Sequence, residues 1–361
     1  MRRQTAIVLL AVAMAATTLT ITVDQWRSIA VKRSRSIIFG SLATAGAAIA
    51  VAALVMTTGV GQANASPASH GTEVLHGIHS MGIRGVKAAC HHNCGGGSNN
   101  LSYHGGVGGV GVETGGDKVY LVYWGSQWNN NDPSGEASIQ QNFFNHVGGS
   151  SWNNSVTQYC EGVASGTITC GSSGTHAVNP TGVLAGVWYD NSAAAPSRPS
   201  QSQLASEATN AAAHFGNTSA SSNTTVQYVI NTATGNNASG FGTQYCAWHS
   251  SVSTSYGNIA YTNMPYITDA GSSCGANFNG LGANAGITIV GGHEFAETET
   301  DIFPNGGWLD SGGSENGDKC AWISSGQGAS ANVTMNGATF PVQSLWSNAF
   351  NSGAGGCVLS Y

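Results

Sequence analysis

Short stretches of apolar residues, some unbroken and some alternating with polar ones, set the predicted elements of this chain. Residues 118–124, KVYLVYW, are β-branched and aromatic enough to predict a strand. The same reading places strands at 183–189, 224–230, 244–249 and 258–266. Residues 135–147 put Ile139, Phe143, Phe144 and Val147 on one helical face. Residues 200–215 do the same with Leu204, Ala208, Ala212 and Phe215, and Ser200 stands where a helix N-cap belongs. Residues 287–301, ITIVGGHEFAETETD, begin apolar and end acidic, and predict a helix that Pro304 and Gly306-Gly307 should stop. Residues 333–361 read as β-rich or irregular. Strands interleaved with helices give an α+β (mixed α/β) fold, and no internal repeat is visible.

The N-terminus has a different pattern. Two apolar runs, 5–23 and 37–60, each follow basic residues, and the second ends in Ala63-Asn64-Ala65. A positive start, an apolar stretch and an A-x-A site in that order predict a signal peptide cleaved before Ser66. Residues 1–65 are therefore expected to be a leader. Residues 1–30 are expected to be untranslated, with Val31 as the natural start. Two membrane spans are a weaker reading, because both runs are rich in Ala, Thr and Gly.

Removing the leader changes the charge. It holds six of the eleven Lys and Arg but one of the seventeen acids, which leaves five against sixteen and a formal charge of −11. Nucleic acid and anionic membranes are not expected partners of such a surface. With 41% hydrophobic residues and nine Trp, the chain can bury a core despite its 51 glycines. All eight cysteines lie beyond residue 65, and in an exported chain they predict disulfides. Local pairing gives Cys160–Cys170, Cys246–Cys274 and Cys320–Cys357. The remaining pair, in Cys90-His-His-Asn-Cys94, suits a small disulfide loop or a metal cluster.

Residues 66–116 are rich in Gly, His, Ser and Asn and read as a flexible pro-segment or linker, with six of the eleven histidines. Residues 117–361 then form a single globular domain.

The chemistry gathers in the last predicted helix. His293, Glu294, Glu297, Glu299 and Asp301 fall within nine positions of a chain otherwise poor in charge. His293 and Glu297 are one turn apart on a helix, a spacing that lets both hold one ion. Glu294 stands where HExxH metalloproteases keep their general base, although HExxE replaces the second histidine with a carboxylate. Asp301 lies roughly 9 Å farther along the axis at ~1.5 Å per residue, too far to ligate, and is assigned behind the ligands at the helix end. The third ligand is expected from residues 306–323. There Ser314 would cap a helical turn presenting Glu315 as ligand and Asp318 as the group orienting His293, with these two roles interchangeable. A calcium loop on Asp310, Glu315 and Asp318 is the alternative. His249 and Tyr261 are candidate oxyanion donors on position alone. The mixed sheet and motif helix resemble the corresponding half of a zinc peptidase, a zincin-like arrangement with a disulfide-tied C-terminal segment.

Several stretches together resemble a known family. They are Leu101-Ser-Tyr-His-Gly-Gly106, the strand at 118–124 with Gly125-Ser126, Ser150-Ser-Trp-Asn153, His293-Glu-Phe-Ala-Glu297 with Thr300-Asp301, and Glu315-Asn-Gly-Asp-Lys-Cys320. Over most of residues 100–361 the chain is similar to the EXORDIUM or phosphate-induced protein family and its bacterial secreted relatives. That resemblance implies export and a shared domain. Plant members are associated with the cell wall and growth responses, without an established reaction to carry over.

Two functions follow. The first is a secreted metallopeptidase, with zinc expected and calcium the alternative ion, whose partner is a protein or peptide substrate. The second is a non-catalytic extracellular protein that binds cell-wall polysaccharide or signals, its aromatics suiting sugar stacking. Glycoside hydrolysis on paired carboxylates is a more distant third. In each case a monomer is expected.

Overall fold

The computed structural model describes residues 73–85 and 100–361. The leader, its cleavage site, the proposed start at Val31 and the Cys90/Cys94 motif lie outside the described residues. In chain order the main elements are β1 (Val74–Leu75), β2 (His79–Gly82), β3 (Lys118–Trp124), α1 (Glu136–His146), β4 (Leu184–Asp190) and α2 (Gln201–His214). Then come β5 (Val226–Thr232), β6 (Tyr245–Thr254), β7 (Gly257–Met264), α3 (Ala285–Thr300), β8 (Ala331–Met335), β9 (Ala338–Val342), β10 (Leu345–Ser347) and β11 (Gly356–Val358).

The sheet runs β6-β7-β5-β3-β4, with β1 and β2 both paired to the outer side of β6. Strands β7, β5, β3 and β4 are mutually parallel, while β6 is antiparallel to β7 and to β1 and β2. The fold is thus mixed α/β. Period-two alternation divides its side chains between two faces. From β5, Val226, Tyr228 and Ile230 pack with Leu204, Ala208 and Ala212 of α2. From the same strand, Val229 turns to the opposite face, into the cluster that holds Phe143 and Phe144 of α1 and Ile287, Ile289 and Phe295 of α3. Ser200 caps α2 as expected: its hydroxyl accepts from Gln203 N at 3.3 Å, and Gln203 Oε1 accepts from Ser200 N at 2.9 Å.

Every residue of α3 is buried. It is enclosed by α1, the β8–β9 hairpin, β6 and β2. Gly292 permits this packing, since a Cβ there would meet Phe143 and Trp152 at 3.2 Å. The helix stops at Thr300, as expected, and the Asp301 carboxylate accepts backbone N–H groups from Asn305, Gly306 and Gly307. Asp301 therefore closes the helix end.

Residues 73–85 depart from the flexible segment expected there. Their backbone adds two short strands to β6, with His79 opposite His249 and Met81 opposite Ala247, because β6 would otherwise present unpaired N–H and C=O groups. Residues 100–116 also pack on the domain, through buried Leu101, Tyr103 and Val112.

All three locally paired disulfides form: Cys160–Cys170, Cys246–Cys274 and Cys320–Cys357. The last ties the turn after Asp318 to β11, so the C-terminal strands are disulfide-tied. Among the described residues, no helix is long and apolar enough to cross a membrane.

One buried group on the α2 face gives a stability test. Burial, then the neighbouring Asp190, pushes Glu207 up to about 8. The folded state thus keeps a proton that the unfolded chain gives up near its ordinary value of 4.5, so stability falls as pH rises from about 4.5 to 8. Glu207→Gln, which keeps an N–H donor toward Asp190, is expected to stabilise the fold at pH 8 by on the order of 1–2 kcal/mol and to have little effect near pH 4. Thermal melts of both proteins across that range check it; an equal shift at both ends contradicts it.

Candidate metal centre

The inward face of α3 carries His293, Glu294 and Glu297, all essentially without solvent exposure. Around them stand His249 from β6, His79 from β2, and Glu315 and Asp318 from the loop after α3. Three overlapping sets of ligand atoms each lie within 4.8 Å: His293, Glu297 and Asp318; His249, Glu294 and Glu297; His79, His249 and Glu315. The side chains with measurable exposure are His79 at 12% and Asp318 at 16%, so the approach from solvent is on their side.

His293 is oriented by Gln343. The Gln343 amide donates through Nε2 to the carbonyls of Gly317 at 2.8 Å and Ser344 at 3.2 Å, which turns its Oε1 to His293 Nδ1 at 3.1 Å. Nδ1 is thereby assigned a proton, which leaves Nε2 as the nitrogen that can exchange its proton for an ion. Nε2 faces Glu297 Oε1 at 2.9 Å and Asp318 Oδ1 at 3.7 Å, yet has no hydrogen-bond partner in line. Positive charge stands between two such atoms at this distance, a proton on Nε2 when no metal is bound and a metal ion when one is. Two ligands of one ion at about 2.0–2.2 Å lie about 3 Å apart, so the separation fits a shared cation. Glu294 Oε2, Glu297 Oε2 and Glu315 Oε1 are likewise buried without partners. The residues present fit a divalent metal ion.

The electrostatics agree. Burial alone lowers the imidazoles, but the charge of Glu297 and Glu294 outweighs it and holds His293 at about 10. Glu315 acts in the same way on His249, held at about 9, and on His79, held at about 10. Burial raises Glu294 to about 8, opposed by His293 and reinforced by Glu297. Glu315 lies well below its ordinary value because the two imidazoles outweigh its burial. A site that draws protons so strongly draws metal cations for the same reason.

Glu315, expected beside His293 and Glu297, instead contacts His249 Nε2 at 2.9 Å and His79 Nδ1 at 3.0 Å. Gly317 packs so closely on His293 and Glu297 that a Cβ there would lie 2.8 Å from the ring, and this places Asp318 next to them. Asp318 thus faces the open nitrogen of His293, and the orienting role expected of it belongs to Gln343. Ser314 does not cap the turn: a 3-10 turn spans Asp318–Cys320, with Gly317 before it. The calcium loop does not assemble either, since Asp310 pairs with Lys319 at 3.0 Å and accepts from Gly312 and Ser314 N. Tyr261 points to the opposite face of the sheet, among the residues packed on α2. His249 is in the centre, but as a ligand candidate.

Glu299 leaves the cluster altogether. Two residues beyond Glu297, it turns to the far side of α3, where Asn153 Nδ2 donates to it at 2.8 Å. There it lies with buried Asp117 and Glu113, and burial raises all three carboxyls above their ordinary values.

Compared with known protein families, with curated proteins and with solved structures, the chain matches none. The chain is a mixed α/β protein with disulfide-tied C-terminal strands and a buried His/Glu cluster able to chelate a divalent metal ion, consistent with a metal-binding enzyme in general.

Gln343 is not itself among the candidate ligands, yet it orients the His293 ring, which is. Gln343→Ala is expected to weaken divalent-metal affinity roughly 10- to 100-fold while leaving the fold intact. Isothermal titration with Zn2+ reads this out, and unchanged affinity would refute the orienting role.

Proposed function

We propose that the chain is a secreted metal-dependent peptidase of zincin-like design, in which His293, Glu297 and Asp318 hold the ion and Glu294 is the general base. Zinc is the ion best suited to the imidazole-and-carboxylate donor set. The observation that carries this reading is the unpartnered Nε2 of His293, aimed at two carboxylates one helical position from Glu294.

A divalent ion bound there supplies Lewis acidity toward a substrate carbonyl and toward water. The protein supplies the rest. Gln343 keeps His293 turned so that Nε2 can bind. Glu294, buried beside His293 and Glu297, is placed to take a proton and return it to a leaving amine. Met81 N–H lies 3.4 Å from Glu294 Oε1 and fixes the carboxylate from the β2 side. Burial of the whole cluster lowers the local dielectric and strengthens each of these interactions.

The EXORDIUM-like motifs support export and membership of that family, and a protein or peptide substrate is the partner this reading requires. The polysaccharide-binding alternative receives less support. Trp128, Trp152, Trp248, Trp308 and Trp346 are buried, and the large aromatics exposed among the described residues are Tyr189, Phe350 and Tyr361.

Glu294→Gln separates chemistry from binding. It is expected to retain the ion and to hydrolyse quenched-fluorescent peptides roughly 10²- to 10⁴-fold more slowly than the zinc-loaded wild type. Wild type that binds zinc but cleaves no member of a mixed-sequence library would rule out the peptidase reading.

A further inference from the structure

We propose that this centre takes two divalent cations, bridged by the carboxylate of Glu297. The inference rests on the metal-dependent reading above and extends it with a second site formed by His79, His249 and Glu315.

Glu297 offers one oxygen to each side. Its Oε1 is 2.9 Å from His293 Nε2, and its Oε2 is 3.6 Å from His249 Nε2. Beyond His249 the ligand atoms continue: Glu315 Oε2 is 2.9 Å from His249 Nε2 and 3.0 Å from His79 Nδ1. None of the three ligand sets contains both His293 and His249, or both His293 and Glu315. Atoms bound to one ion at about 2.1 Å can be no more than about 4.2 Å apart, within the 4.8 Å span of those sets. The two groups of donors therefore converge on different points, with Glu297 shared between them.

Charge permits the same count. Glu294, Glu297 and Glu315 are fully buried and Asp318 largely so. The three imidazoles must be neutral to bind metal, and Lys319, the nearby cationic side chain of the loop, is paired with Asp310. With one ion among His293, Glu297 and Asp318, Glu315 stays paired with protonated His79 and His249, and a second divalent ion would replace those two protons charge for charge. The orphaned oxygens are placed accordingly: Glu315 Oε1 lies in the second set, and Glu297 Oε2 faces His249, which links the two sets through the group of His249, Glu294 and Glu297.

Two imidazoles with one terminal and one bridging carboxylate suit zinc, cobalt or manganese. Paired ions of this kind, about 3.5–4 Å apart, can clamp the attacking and leaving groups of a displacement. Because His79 comes from β2, the second ion would also pin that strand across Glu294.

The test uses the full-length chain, stripped with chelator, reloaded with Zn2+ and dialysed. Elemental analysis is expected to give two zinc ions per wild-type chain, and X-ray absorption a metal–metal distance of about 3.5–4 Å. His79→Ala and Glu315→Gln should each bind one ion, with near-ultraviolet circular dichroism confirming the native fold. His79 begins a short edge strand, so its truncation is mild, and the absorption measurement needs no variant. A single zinc with no metal–metal signal overturns the two-ion site and leaves the peptidase reading standing. No zinc at all overturns both. Two zinc ions in a protein that cleaves no peptide supports the paired site and removes the peptidase reading alone.

Discussion

The structure depends on how buried carboxylates are neutralised around one helix. α3 is enclosed on every side, yet four of its last eight residues are acidic or imidazole side chains. An unpaired ionised group in such a place costs several kcal/mol even after relaxation. The surrounding elements supply the compensation: His249 from β6, His79 from β2, the Gly317–Asp318 turn, and the Gln343 amide. The apolar half of α3 fixes where the helix lies; the polar half dictates what must come to meet it.

Each compensating group is held by a feature that has no chemistry of its own. Cys246–Cys274 anchors β6, the strand that carries His249. Cys320–Cys357 anchors the turn that carries Asp318, and a disulfide closing a loop of this size contributes roughly 2–4 kcal/mol. The absence of a side chain at Gly317 lets the turn lie against His293. β2 is the least secured part: four residues, with the register shifting between Met81 and Gly82. It also donates the Met81 N–H to Glu294 and carries His79, so the least secured element is one that touches the candidate base.

Much of this was legible in the chain. The strand at Lys118–Trp124, the Ser200 cap, the helix stop before Pro304 and the local disulfides are each set by neighbouring residues, and they fold as their local pattern dictates. His293, Glu294 and Glu297 were legible for the same reason, since their spacing alone puts them on one helical face. The rest of the centre depends on contacts far apart in sequence. His249 shares a face with Ala247 and Ser251, which shows only once β6 is known to lie against α3. His79 is one of six histidines in a Gly-rich stretch, and nothing local distinguishes it from the others. Gln343 is an amide in a β-rich tail. Glu315 and Asp318 were legible as a pair, but which of them meets His293 is decided by Gly317, whose role is steric and visible only in three dimensions.

The two sides of α3 solve the same burial problem in different ways. On the far side, Glu113, Asp117 and Glu299 bring carboxyls together with amide donors from Asn153 and Gln227 and no imidazole. There burial raises all three, and the charge of neighbouring carboxyls adds to it at Glu113 and Glu299. On the near side, three imidazoles converge on the carboxylates, and one of them is locked with its Nε2 inward. Carboxyls meet carboxyls in the first arrangement; in the second, Gln343 holds Nδ1 of His293 and keeps Nε2 turned toward Glu297, where a proton or a metal ion can sit. The near side therefore brings imidazole and carboxylate ligand atoms together and can chelate a divalent cation, while the far side offers carboxyls alone, which is why chemistry is expected on the near side.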